Sequence, residues 1–236
     1  MKTALVGGVL LDGLGGPPRV SARRPLFTLE EIAAVVDESH QAGVPVACHA
    51  VGGPNILAAV RAGVETIEHG AWLDDEAVSE MARRGTWYVP TFAIYRWHAE
   101  RGTPLRQARA RELIAPHRES FARARATGVR IALGTDSGAY GHGETAVELA
   151  HMVEAGLSPA EAIAAGTARA AECLGLGRET GALEAGKAAD LLVLDRDPLR
   201  DITVASDATA RALVLRAGRP VGGTRRAAWL GQTAFF

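Results

Sequence analysis

Cysteine is nearly absent: the 236 residues contain only Cys48 and Cys173, too few for a disulfide framework, and this favours a reducing, cytoplasmic setting. Net charge is lacking too. The 26 Lys and Arg against 27 Asp and Glu leave a balance of -1, so no global field recruits nucleic acid or an anionic membrane, and a small-molecule substrate is the expected partner. There is also no long apolar run at the start. Met1 to Leu11 is apolar, but it is interrupted by Gly7 and Gly8, closed by Asp12 and carries only Lys2 as positive charge, which reads as a strand and not as a signal peptide or membrane span. No internal repeat or low-complexity tract stands out beyond a local Arg/Ala bias between Leu105 and Thr127.

What is present is a regular alternation of amphipathic helix and short apolar strand from about Phe27 to Gly177, the mark of a parallel α/β sheet. Thr28 with Glu31 forms a capping box, and Leu29, Ile32, Ala33 and Val36 recur at helical spacing up to a stop at Gly43. Strands are expected at Val44 to His49, Val64 to His69, Thr86 to Pro90 and Val129 to Asp136. Helices are expected from Pro54 to about Gly63, Asp75 to Arg84, Leu105 to Thr127, Glu144 to Ala155 and Pro159 to Leu174, the last capped by Ser158 with Glu161. Beyond Gly177 the pattern turns to strands, Asp190 to Asp195 and Arg211 to Arg216, punctuated by Gly181, Gly186 and Gly218. Thr3 to Leu11 has the same character, so the two ends are expected to pair in a small β-sandwich (residues 1–22 and 178–236) around the α/β segment (residues 23–177).

His49, His69 and Asp136 fall at the carboxyl ends of three expected strands, the end where the loops of barrel folds converge. Two imidazoles and a carboxylate suit zinc, iron or manganese. A lone histidine at a strand end is more often a hydrogen-bonded structural residue, whereas three such groups in one sheet are harder to dismiss. Spacing alone leaves both readings open. Glu68, beside His69, is expected to point to the other face of its strand and meet a helix or a cation. His40, His98, His117 and His151, on helices or loops, read as structural, and the arginines of the Leu105 to Thr127 helix read as a solvated face.

The runs His40-Gln41-Ala42-Gly43-Val44-Pro45-Val46-Ala47-Cys48-His49-Ala50, Gly63-Val64-Glu65-Thr66-Ile67-Glu68-His69-Gly70 and Leu133-Gly134-Thr135-Asp136-Ser137-Gly138 resemble strands five, six and eight of the amidohydrolase superfamily, in its imidazolonepropionase-like and Xaa-Pro dipeptidase-like branch. Val89-Pro90-Thr91 is similar to strand seven, Gly186 to Leu191 to the closing region, and Leu5 to Pro18 to the first sandwich strands. The resemblance implies a partial (β/α) TIM-type barrel, its second half with four parallel strands, and hydrolysis of a C–N bond in an amide, cyclic amide or dipeptide by metal-activated water. It also implies that His49 and His69 bind a metal that Asp136 ligates or serves as a base, and that Tyr95 lies where the family lines its substrate pocket. Trp87, Tyr88, Phe92, Tyr95 and Trp97 could equally be core and rim packing. His142, between Gly141 and Gly143, could contact substrate, complete the metal shell or simply face water.

The family's first-strand His-x-His pair and its bridging lysine on strand four have no counterpart here: no His-x-His occurs, and the only lysines are Lys2 and Lys187. If metal binds, one divalent ion per chain is therefore the expectation, zinc before manganese or iron. The alternative is a metal-free remnant that acts as a binding protein or uses the old pocket for proton transfer. Four strands cut from a barrel leave open edges, and a homodimer that closes them is expected.

Overall fold

Thr28 opens helix α1 (Leu29–Gln41) with the reciprocal cap read from sequence: its hydroxyl accepts from the Glu31 amide at 3.2 Å, and Glu31 Oε2 accepts from the Thr28 amide at 2.8 Å. The computed structural model describes residues 27–138 and 140–232, and these form two compact units divided in the chain between Tyr140 and Gly141.

In the first unit the chain continues through β1 (Ala47–Gly52), α2 (Pro54–Ala62), β2 (Thr66–Trp72), α3 (Asp75–Arg84), β3 (Trp87–Val89), α4 (Phe92–Arg101), α5 (Pro104–Ala126) and β4 (Arg130–Ile131). Its four strands are parallel and follow chain order across the sheet. Helices α2 and α3 stop at Gly63 and Gly85, whose φ values of 107° and 72° are left-handed and free of Cβ cost only for glycine. Where one helix was expected after β3 there are two. Gly102 ends α4, then the Thr103 hydroxyl accepts from the Arg106 amide at 3.4 Å and Pro104 takes the first helical position of α5.

Strand β1 starts at Ala47, later than the expected Val44, and runs past His49 to Gly52. The expected strand at Val129 to Asp136 pairs only over Arg130–Ile131. Ala132 N still donates to Tyr88 O at 3.0 Å, and Gly134 then passes so near β3 that a Cβ there would stand 2.4 Å from Val89 Cγ1. The absence of a side chain at Gly134 is what lets the chain carry Asp136 along this path.

Three rungs cross the sheet: Ala47, Thr66, Trp87 and Arg130; then Cys48, Ile67, Tyr88 and Ile131; then His49, Glu68 and Val89. Because successive residues of a strand face opposite sides, the middle rung faces away from the other two. Its members are all buried, and Tyr88 meets Phe121 of α5 with ring centroids 6.2 Å apart. On the other side the Arg130 guanidinium lies 4.4 Å over the Trp87 ring. The end of β2 is tied down by α5 and β3. Ser120 Oγ accepts from Leu73 N and donates to Ala71 O, both at 2.9 Å, Arg123 donates to Leu73 O at 2.7 Å, and Tyr88 Oη donates to Gly70 O at 3.0 Å.

The second unit holds α6 (Val147–Glu154), α7 (Pro159–Gly166), α8 (Ala168–Cys173), two short 3-10 turns (Ile202–Ala205 and Ala208–Ala210), an antiparallel sheet of β5 (Leu191–Leu194), β6 (Arg211–Arg216) and β7 (Arg219–Gly222), and α9 (Arg226–Gln232). The expected helix Pro159 to Leu174 breaks at Thr167 (φ -128°, ψ -95°), whose hydroxyl donates back to Ile163 O at 2.7 Å. Ala217 and Gly218, with φ of 48° and 76°, make the two-residue connection of the β6–β7 hairpin, which needs positive φ at both positions. The strand expected at Thr3 to Leu11 lies outside the described residues. Among the described residues, no helix is long and apolar enough to cross a membrane.

Candidate active site

The upper rung of the parallel sheet and the turns beyond it gather the chemistry. His49 sits within β1, directly paired with Glu68 of β2, so both side chains leave the same side of the sheet. His69 follows at φ 76°, a left-handed conformation that interrupts the strand's two-residue alternation and brings its ring edge-on to His49, with centroids 4.4 Å apart. This corrects the sequence expectation for Glu68. It shares the His49 side, accepts from the Thr66 hydroxyl at 2.6 Å, and lies within electrostatic reach of Asp136.

Three non-glycine residues in or after the strands of the parallel sheet have positive φ: His69 within β2 at 76°, Thr91 after β3 at 57° and Asp136 after β4 at 57°. Such backbone costs about 1–3 kcal/mol per residue and persists only where its surroundings enforce it, which makes the cluster a pointer to a site. Thr91, buried, places its hydroxyl 2.7 Å from His69 Nδ1. Tyr95, one turn into α4, is buried with its ring edge-on to His69 at 5.8 Å. Behind it lies His117 of α5, fully buried at centroid distances of 5.0 Å from Tyr95 and 4.4 Å from Phe92.

Burial, then the neighbouring rings of His49 and His117, hold the His69 pKa well below 6.5, so at neutral pH it is an uncharged imidazole. Burial likewise pushes His117 down to about 3, against the opposing effect of the His69 and Pro90 backbone. Glu68 is pushed up to about 7 by burial, opposed by the Thr66 hydroxyl and reinforced by Asp136. The Asp136 carboxyl is raised by desolvation and lowered by His49. Burial and then Asp136 raise Tyr95. Burial, with Glu68 adding to it, drives the Cys48 thiol up to about 12, which leaves it unreactive.

Of the residues singled out from sequence, His49, His69 and Tyr95 are brought into ring contact, and Asp136 couples to His49 and Tyr95 through its charge. His142 belongs to the second unit, exposed in a turn. The imidazole pair has the donor chemistry for a borderline divalent cation, yet among the described residues no group of three or more His, Cys, Asp or Glu side chains is placed to hold one. Sequence reasoning passed over Thr91 and put Glu68 on the wrong face. A signal for Thr91 was available in its place right after Val89-Pro90, at the end of an expected strand.

The sequence model of the Amidohydrolase family matches residues 19–221. Ochratoxinase from Aspergillus niger is 34% identical over 209 residues, which cover 86% of this chain and 43% of the relative. Imidazolonepropionase from Mesorhizobium japonicum is 32% identical over 202 residues, covering 81% and 46%. A crystal structure of a Xaa-Pro dipeptidase with bound methionine superposes with a TM-score of 0.80 at 34% identity, over 86% of this chain and 51% of that one. The chain thus spans about half the length of the relatives it matches.

Proposed function

The chain belongs to the amidohydrolase family, and from that premise we propose that it serves a hydrolase cleaving a C–N bond, in an amide, a cyclic amide or a dipeptide, with one divalent cation per chain. The observation that carries this reading is the edge-on pair of His49 and His69, 4.4 Å apart, with Asp136 coupled electrostatically to His49. A neutral imidazole is the form in which His69 offers a lone pair, and its burial maintains that form. His49 and His69 would hold the ion, zinc before manganese or iron, with Asp136 as a third donor or as the base that takes a proton from the attacking water. When bound, the cation would polarise the scissile carbonyl and make water more acidic. Ligands beyond these would come from outside the described residues. Tyr95 and His142 remain the proposed substrate contacts, and a second copy of the chain is the proposed cover for the outer edges of β1 and β4, which pair with no further strand among the described residues.

The test is elemental analysis of protein purified without chelator, paired with release of free amine from Xaa-Pro dipeptides and N-acyl amino acids. The expected result is one equivalent of metal per chain, lost in His49→Ala and in His69→Ala, with amine release that disappears alongside it. Two equivalents would refute the single ion. Metal retained in full by both variants would refute the site, and a metal-free, inactive but folded protein would favour the binding-protein reading. Light scattering checks the dimer: a species of a single chain mass would count against it.

A further inference from the structure

We propose that Thr91 is a positioning residue: its hydroxyl holds His69 in the tautomer protonated on Nδ1 and so leaves the Nε2 lone pair for the site. The proposal rests on the reading of His69 as a site residue. Thr91 is the N-cap of α4, a position where a threonine hydroxyl ordinarily accepts from a backbone amide in the first turn while its backbone is extended. Here neither holds. The hydroxyl makes no cap bond, and the backbone is left-handed at φ 57°, ψ 48°, a conformation that β-branched residues seldom adopt. What the side chain does instead is meet His69 Nδ1 at 2.7 Å across 22 residues of sequence. A cap and an ordinary backbone are both forgone for one contact.

That contact is shielded and its geometry is constrained from several sides. Thr91 is 3% exposed and His69 6%, so water does not compete for the bond. The His69 ring is held edge-on by His49 at 4.4 Å and by Tyr95 at 5.8 Å, and the segment after it is pinned where Tyr88 Oη donates to Gly70 O at 3.0 Å. A neutral imidazole has one N–H. With Nδ1–H donating to Thr91 Oγ1, the other nitrogen retains its lone pair, the form needed of a ligand or a base; with the hydroxyl donating to Nδ1, Nε2 would carry the proton and be useless as either.

Nitrogen-15 NMR of the His69 imidazole in chelator-treated protein, where no ion on Nε2 fixes the proton on Nδ1, is assigned by loss of its signals in His69→Ala, reads the tautomer directly and needs no turnover. The expected wild-type spectrum shows Nδ1 protonated, and an Nε2-protonated ring overturns the proposal. Thr91→Val keeps the shape and β-branching but removes the hydroxyl, and it is expected to shift the ring toward the other tautomer and, where hydrolysis is measurable, to lower kcat by roughly 10–100-fold with little change in KM. Thr91→Ser restores the hydroxyl and is expected to recover the wild-type spectrum with kcat within about threefold of wild type, far above the loss given by a missing second-sphere bond. Equal loss in Ser and Val, or a wild-type spectrum and rate in Val, would also overturn it. Because the spectra are decisive even if no hydrolysis is found, failure of the proposed activity stays distinguishable from failure of the role of Thr91.

Discussion

Cys48, Ala50, Ile67, Tyr88 and Ile131 on one side of the parallel sheet are at most 3% exposed, whereas His49, Glu68 and Arg130, next to them in sequence, lie on the opposite side with solvent contact. The first side is a close-packed interior whose atoms earn stability through contact area. The second also buries Thr66, Trp87 and Val89, but it is the side that carries the polar groups His49 and Glu68, whose value is chemical. A single strand thus serves both ends through the alternation of its side chains.

The largest expected effect tests the first side. Tyr88→Ala empties a fully buried site and leaves Gly70 O without its hydroxyl partner, and a loss of about 4 kcal/mol is expected in urea unfolding followed by tryptophan fluorescence. A loss below about 1 kcal/mol would show that this side is not the packed core.

A sharper probe is His117, buried on the same side among Tyr88, Phe92 and Tyr95 but titratable. Its folded pKa of about 3 lies below the ordinary 6.5, so as pH falls from 6.5 toward 3 the unfolded chain binds the extra proton and stability is lost; above 6.5 the full contribution is present. His69, also lowered, adds in the same direction. His117→Phe is expected to be near neutral at pH 8 and more stable than wild type by about 2 kcal/mol at pH 5, measured as the difference in unfolding midpoints. Parallel pH profiles for the two proteins would remove His117 from the account.

The smallest effect belongs to the other side. Arg130 stacks on Trp87 and donates to Gly85 O, yet it is exposed, so Arg130→Ala is expected to cost no more than about 1 kcal/mol by the same unfolding assay. A cost equal to that of Tyr88→Ala would abolish the distinction between the two sides.

Most of this frame was legible in the residues. The Thr28 and Glu31 cap and the helix Asp75–Arg84 follow from local spacing, because each is decided within a few neighbours, and the parallel sense of the strands follows from the helix placed between one strand and the next. Helix α4 was not legible. Its start is a left-handed threonine after a proline, and its aromatic run reads equally well as pocket rim. The shortness of β4 depends on how near Gly134 comes to Val89, a contact across the sheet that no single-strand pattern records. At the candidate site, the sequence order of strand and loop was enough to single out His49, His69 and Asp136, although β1 and β2 run on past their histidines to Gly52 and Trp72 and β4 stops at Ile131, short of Asp136. The side taken by Glu68 could not be read in this way, since the period of two fails where His69 turns to positive φ, and a conformation of that kind is imposed by the surrounding structure more than by the residue itself.

The Ser120 bridge to Ala71 and Leu73 has a consequence in time. It joins positions 47 and 49 residues apart in the chain, so it can close only after α5 has formed and docked, a step that carries the entropy of a long loop. The bend bearing His69 is fastened by that same helix and by Tyr88, and it is therefore expected to be among the last parts to acquire its shape during folding. Backbone hydrogen exchange during refolding would report this order as late protection of the Leu73 amide, after the amides of α1 and α2, and the arrangement of the two histidines would exist only in molecules that had already completed the rest of the sheet.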